Sequence, residues 1–123
     1  MKPAAATGWP VRAGLVGGVI GATAASITAV VADAAGVPFE IDGERIPLAG
    51  FAQLSLLGAV LGIALARALR WRRRFTTVAV ALTALSCVPS VLAPDDASTA
   101  VVLVATHVLV AAIVVPMIGR ELR

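Results

Sequence analysis

The chain has 123 residues, of which 59% are hydrophobic and 14% charged, with a formal net charge of +3. Soluble domains average roughly 45–50% and 25%, so the composition excludes an ordinary water-soluble fold, and the length allows one domain. The positive balance is not a nucleic-acid signature, because the basic residues flank long apolar runs.

Taken in chain order, a short tail from Met1 to Arg12 holds Trp9 and two prolines. A first apolar span follows at 13–32. Lys2 and Arg12 precede it, and Ala32-Asp33-Ala34 faintly resembles a cleavage site. The apolar part exceeds the roughly 7–15 residues of a signal core, so it reads as a retained helix. The loop from Asp33 to Pro47 is nearly mirrored about Asp42-Gly43, a dipeptide suited to a two-residue hairpin turn. The predicted hairpin sets Ile41 opposite Glu44, Glu40 opposite Arg45 and Phe39 opposite Ile46, with Glu40–Arg45 as a cross-strand pair.

A second span is predicted at 48–66. An arginine-rich link with Trp71 at the membrane interface leads to a third at 75–93, which contains Pro89. Pro94-Asp95-Asp96-Ala97-Ser98 is a short link, so spans three and four are antiparallel neighbours. Ser98 or Thr99 is the expected cap of span four, at 100–118. Each span approaches the ~20 residues that cross hydrocarbon at 1.5 Å per residue. The fold class is all-α: a four-helix transmembrane bundle with a short extracytoplasmic hairpin between helices one and two.

Charge fixes the predicted orientation. Lys2, Arg12, Arg67, Arg70, Arg72, Arg73, Arg74, Arg120 and Arg123 lie on one side with Glu121, a balance of +8. Asp33, Glu40, Asp42, Glu44, Asp95 and Asp96 lie on the other with Arg45, a balance of −5. Arginine and lysine stay on the cytoplasmic side of short-loop membrane proteins. Both termini are therefore expected in the cytoplasm of a bacterial plasma membrane, with Trp9 and Trp71 at the inner boundary. The central arginines also suit anionic lipid headgroups, at about 1 kcal/mol per basic residue.

Small residues mark the expected packing faces. Span one carries Gly14, Gly17, Gly18 and Gly21, two interleaved GxxxG pairs, and span two carries Gly58 and Gly62. Such residues let helix backbones approach in lipid. Spans one and two are expected to pack closely, within one chain or across a dimer. Homo-oligomerisation or membership of a larger membrane complex is the expected assembly.

No acid, lysine or arginine lies in the central part of any span. His107 is the single ionisable candidate at depth. Counting from each span's middle puts Ser26, Ser55, Ser86 and Cys87 near its level, and span three adds a row of Thr76, Thr83 and Ser90. The expected cluster is His107, Ser86, Cys87, Ser55 and Ser26, with His107–Ser86 as the leading pair. Three readings of His107 stand together: an interhelical hydrogen bond, a gating or proton-relay residue, or a ligand to haem, quinone or metal. Catalytic motifs of the HExxH, GxSxG and Walker kinds are absent. Cys87 is the only cysteine, so no intrachain disulfide forms. Paired acids such as Asp95-Asp96 bind cations weakly at best and read first as a solvated turn.

The phrases Gly36-Val37-Pro38, Leu85-Ser86 followed by Pro89, and Thr106-His107 followed by Pro116, each in its span context, resemble the small four-helix membrane proteins grouped as domain of unknown function 6069, mostly from actinobacteria. The resemblance covers nearly the whole chain and implies fold and location, with no activity. The expected function is a non-enzymatic accessory or small-ligand-binding membrane subunit. A minimal channel or transporter with His107 on its path is the first alternative. A cofactor-binding redox protein or enzyme using His107 is the second, its cofactor unspecified.

Overall fold

The computed structural model describes residues 10–123; Lys2 and Trp9 lie outside them. Four helices form: α1 Val11–Ala34, α2 Ala49–Leu69, α3 Arg72–Leu92 and α4 Ala97–Gly119. Strands β1 Glu40–Ile41 and β2 Glu44–Arg45 make a hairpin between α1 and α2. All four helices are long and apolar enough to cross a membrane. At 21 to 24 residues they measure about 32–36 Å, against about 30 Å of hydrocarbon.

The helices run further into the arginine-rich link than the apolar runs suggest. Arg67 is in the last turn of α2 and Arg72, Arg73 and Arg74 open α3. Arginine is a good helix former, and its stem covers apolar surface while the head reaches water. The link reduces to Arg70, left-handed at φ 65°, and extended Trp71.

Helix α1 is the hub. Its Gly14 and Gly18 meet Ile63 and Ala59 of α2. Its Gly17 and Gly21, rotated round the helix, meet Met117, Val114 and Val110 of α4. One GxxxG pair thus serves each neighbour, both inside the chain. Helix α4 in turn packs on α3, whereas α2 and α3 make few contacts. Buried side chains form an inner cluster around Ala59, Ile63, Phe75, Val114 and Ile118, and an outer one of Ala25, Ala29, Phe39 and Phe51.

At the hairpin end of the bundle, called outer for its place relative to the arginine-rich end, the loops interlock. Asp42 and Gly43 take φ 52° and 80°, as a type I′ turn requires, and the register pairs Glu40 with Arg45 and Ile41 with Glu44. The expected Glu40–Arg45 side-chain pair does not form: Arg45 reaches back to Asp33 at the end of α1. Ile41 bridges to Pro94, and Asp95 N–H donates to the Glu40 carbonyl at 3.0 Å. The Asp95 carboxylate accepts from the turn amides of Asp42 at 2.9 Å and Gly43 at 2.8 Å. The acid predicted as part of a solvated turn is the receptor for the hairpin.

Asp96, and neither Ser98 nor Thr99, is the N-cap of α4, accepting from Thr99 N–H at 3.0 Å. Both hydroxyls donate to its carboxylate. Those bonds, Ser98 first, hold Asp96 below the ordinary carboxylate value of 3.8. Thr99 Oγ1 then accepts the Phe39 N–H at 3.1 Å. Phe39 is fully buried despite φ 52°, a backbone state costly for a bulky residue. Its ring meets Phe51 edge to face at 5.2 Å.

At the opposite, arginine-rich end of the bundle Arg72 closes α4. Its N–H donates to the Arg123 carbonyl at 2.7 Å, and its guanidinium to Gly119, Leu122 and Arg120 carbonyls at 2.8, 3.3 and 3.4 Å. A cation on unpaired carbonyls at a helix C-terminus satisfies both bonds and dipole.

Candidate functional site

Because α2 and α3 separate above their two-residue link, the bundle is open along one side. A groove of about 880 Å³ lies there, within the size range of small-molecule sites. α4 forms its floor through Leu103, Thr106, His107, Val110, Ala111 and Val114. Ile41 and Ile46 of the hairpin segment wall its outer end; Leu65 and Phe75 lie at the inner end. Its rims carry Leu54, Leu57 and Leu61 of α2 and Leu82 of α3, which are 64, 53, 61 and 52% exposed. The opening therefore faces the bilayer.

The wall is apolar except for Ser55, Thr83, Ser86, Ser90, Thr106 and His107. The leading pair expected from sequence changes partner. Ser86 Oγ donates to the Thr83 carbonyl at 2.7 Å, and the serine beside His107 is Ser90, its Oγ 3.5 Å from Nδ1. A short α3–α4 link sets the helices antiparallel, and the serine that meets His107 lies one helical turn beyond the expected one. His107 Nδ1 also lies 2.9 Å from the Leu103 carbonyl.

Ser55 lies on the opposite wall, bonded to the Phe51 carbonyl at 2.6 Å. Two members of the expected cluster stand elsewhere. Cys87 faces outward, in a shallow depression it shares with Ala84, Val88, Val91 and Leu92 of its own helix. Ser26 is half-buried on α1 and does not line the groove. Thr76 sits at the inner end of α3, also off the wall. Thr106, which the depth count passed over, is buried and lines it; its place beside His107 on the sequence is the only signal.

Gly58 does not pack as expected. A side chain there would meet nothing within 4 Å, and the residue forms part of the groove wall. A Cβ added at Gly62 would stand 3.2 Å from Ile118 Cδ1, so this glycine packs toward α4 and not toward α1. Arg67, Arg70, Arg73 and Arg74 are exposed at the arginine-rich end of the bundle, free of ion pairs among the described residues. No group of three or more metal-ligating side chains occurs among the described residues.

These features define the class: a multi-pass, all-helical membrane protein with a side-opening groove. The chain belongs to a family of unknown function (DUF6069), which matches residues 5–123. No curated protein and no solved structure matches it.

Proposed function

We propose that the chain is a non-enzymatic membrane subunit that holds a small lipophilic molecule in the groove between α2 and α3. The observation that carries this is the groove itself. It is apolar over most of its wall, closed above by the hairpin, open sideways to lipid, and supplied with hydrogen-bonding groups around His107 and Ser90. Sites for small molecules combine those properties: concave, mostly apolar, with few polar groups to fix orientation. Gly58 supports the reading, since a glycine mid-helix costs about 1 kcal/mol against alanine and here leaves open wall.

The protein sits in a bacterial plasma membrane with both termini inside, a reading that rests on the charge asymmetry. Arg67, Arg70, Arg73 and Arg74 meet anionic headgroups of the inner leaflet, whereas Arg72 serves α4. The open side is also where a second copy or another subunit would seat, because the α1 glycines are engaged within the chain.

A channel or transporter is the second reading, favoured by the hydroxyl row Thr83, Ser86 and Ser90 along one wall. It requires ion or solute flux that His107→Ala alters while assembly persists.

Native mass spectrometry of the protein released gently from its own membranes tests the first reading. The expected result is one small molecule per chain, retained in wild type, lost in Gly58→Leu and weakened in His107→Ala. A protein released bare in all three, or liganded equally in all three, contradicts it.

A further inference from the structure

The hydrogen-bonding groups of the groove share a property that specifies its occupant. Ser55, Thr83, Ser86, Ser90 and Thr106 each donate their single O–H to a carbonyl of their own helix, at 2.6, 2.8, 2.7, 3.2 and 2.8 Å. A hydroxyl has one proton to give, and hydroxyls at membrane depth commonly return it to the preceding turn. What each presents to the groove is a lone pair.

His107 follows the same rule. A carbonyl only accepts, so the 2.9 Å contact of Nδ1 with the Leu103 oxygen places the proton on Nδ1. No acid lines the groove to pair with a charged ring, and with the proton on Nδ1 a neutral ring offers Nε2 as an acceptor. Nε2 makes no hydrogen bond among the described residues. It is not sealed in, because no buried side-chain nitrogen or oxygen there lacks a partner.

We infer that the groove selects a neutral hydrogen-bond donor: a lipophilic alcohol, phenol or hydroquinone whose O–H donates to His107 Nε2. This rests on the reading of the groove as a ligand site and narrows it. A ketone, quinone, ether or ester brings only acceptors and leaves two lone-pair surfaces facing each other, each without a donor. A carboxylate or phosphate adds uncompensated charge. A cation would suit lone pairs, but the absence of any acid on the wall leaves its charge unpaired in a largely apolar site. The neutral donor alone satisfies the site without forcing a hydroxyl to give up its helix carbonyl.

His107 is the only histidine in the chain, so a tag free of histidine leaves one imidazole to observe. The full chain, labelled with nitrogen-15 histidine in lipid nanodiscs, is titrated with para-nonylphenol and with its methyl ether, para-nonylanisole, which has similar bulk and no donor. The inference expects Nδ1 protonated before any addition, a Nε2 shift with the phenol, and about tenfold weaker binding of the ether, with Gly58→Leu abolishing both. A free protein with the proton on Nε2 overturns it. Equal binding of the two probes, lost in Gly58→Leu and with Nε2 unmoved, overturns it while leaving the groove as a ligand site. No binding of either probe, or binding that Gly58→Leu leaves intact, overturns both.

Discussion

At the scale of single residues, glycines of one sequence type do different work. A Cβ added at Gly18 would stand 2.6 Å from the Ala59 Cβ, on a helix that cannot give way locally. Gly18→Ala is therefore expected to destabilise the bundle by about 1–3 kcal/mol, the usual range for overpacking. Gly58→Ala meets open space and is expected to be neutral or mildly stabilising, since alanine favours the helix. Steric-trap or thermal unfolding of both variants in the same micelle checks the contrast; equal losses would contradict it. Thr99 is as specific: its hydroxyl accepts the Phe39 N–H and donates to Asp96. Thr99→Val keeps the shape and orphans that amide, at about 1–3 kcal/mol, which a fall in melting temperature reads.

Asp96 adds a pH dependence with a definite sign. Hydrogen bonds from Ser98 and Thr99 hold its folded pKa below 3.8. A depressed carboxylate contributes stability above its unfolded value and loses it as pH falls through the folded one. The cap is thus intact at neutral pH and fails only in the acid range below 3.8. Asp96→Asn should flatten the stability profile there, and an unchanged acid slope would count against the assignment.

At the scale of elements, the outer hairpin is stable because other elements hold it. Two strands of two residues are marginal alone. Here the Asp95 carboxylate takes both turn amides and Phe39 is buried between helices. Asp95→Ala should raise hydrogen exchange at Asp42 and Gly43 while leaving the four helices protected; unchanged exchange at the turn would show that other contacts suffice. The turn and its register were legible in sequence, because Asp-Gly at a mirrored centre demands positive φ. Its anchor was not, because contact between loops more than fifty positions apart leaves no local pattern. The cap of α4 shows the same limit: Asp96, Ser98 and Thr99 are all capping residues, and only geometry selects among them. The helices themselves were legible, since apolar length fixes a span, but their ends were not, since arginine continues a helix past the hydrocarbon.

At the scale of the molecule, three features act together: charge sorted to two faces, α1 as packing hub, and one open side. The first was legible from the positions of the charges along the chain. The open side was not, because apolar residues facing lipid, a groove or a neighbour look alike in sequence. Ser55 of α2 and His107 of α4 both line the groove, and the serine of α3 beside His107 lies one turn from the one that the spacing suggested. Orientation is checked in a Cys87→Ser background with a membrane-impermeant maleimide on intact cells. Ser98→Cys is expected to label and Arg123→Cys only after lysis; the reverse would invert the topology.

The most direct measurement is a photocrosslink from the groove rim in living cells. Benzophenone-bearing phenylalanine replaces Leu61, and in a second strain Val19, an exposed residue of α1. A single adduct of one small-molecule mass is expected at position 61, absent at 19 and weakened by His107→Ala. The lack of any small-molecule adduct at 61, or the same spread of bulk phospholipid adducts at both positions, would contradict the claim that the groove is a ligand site.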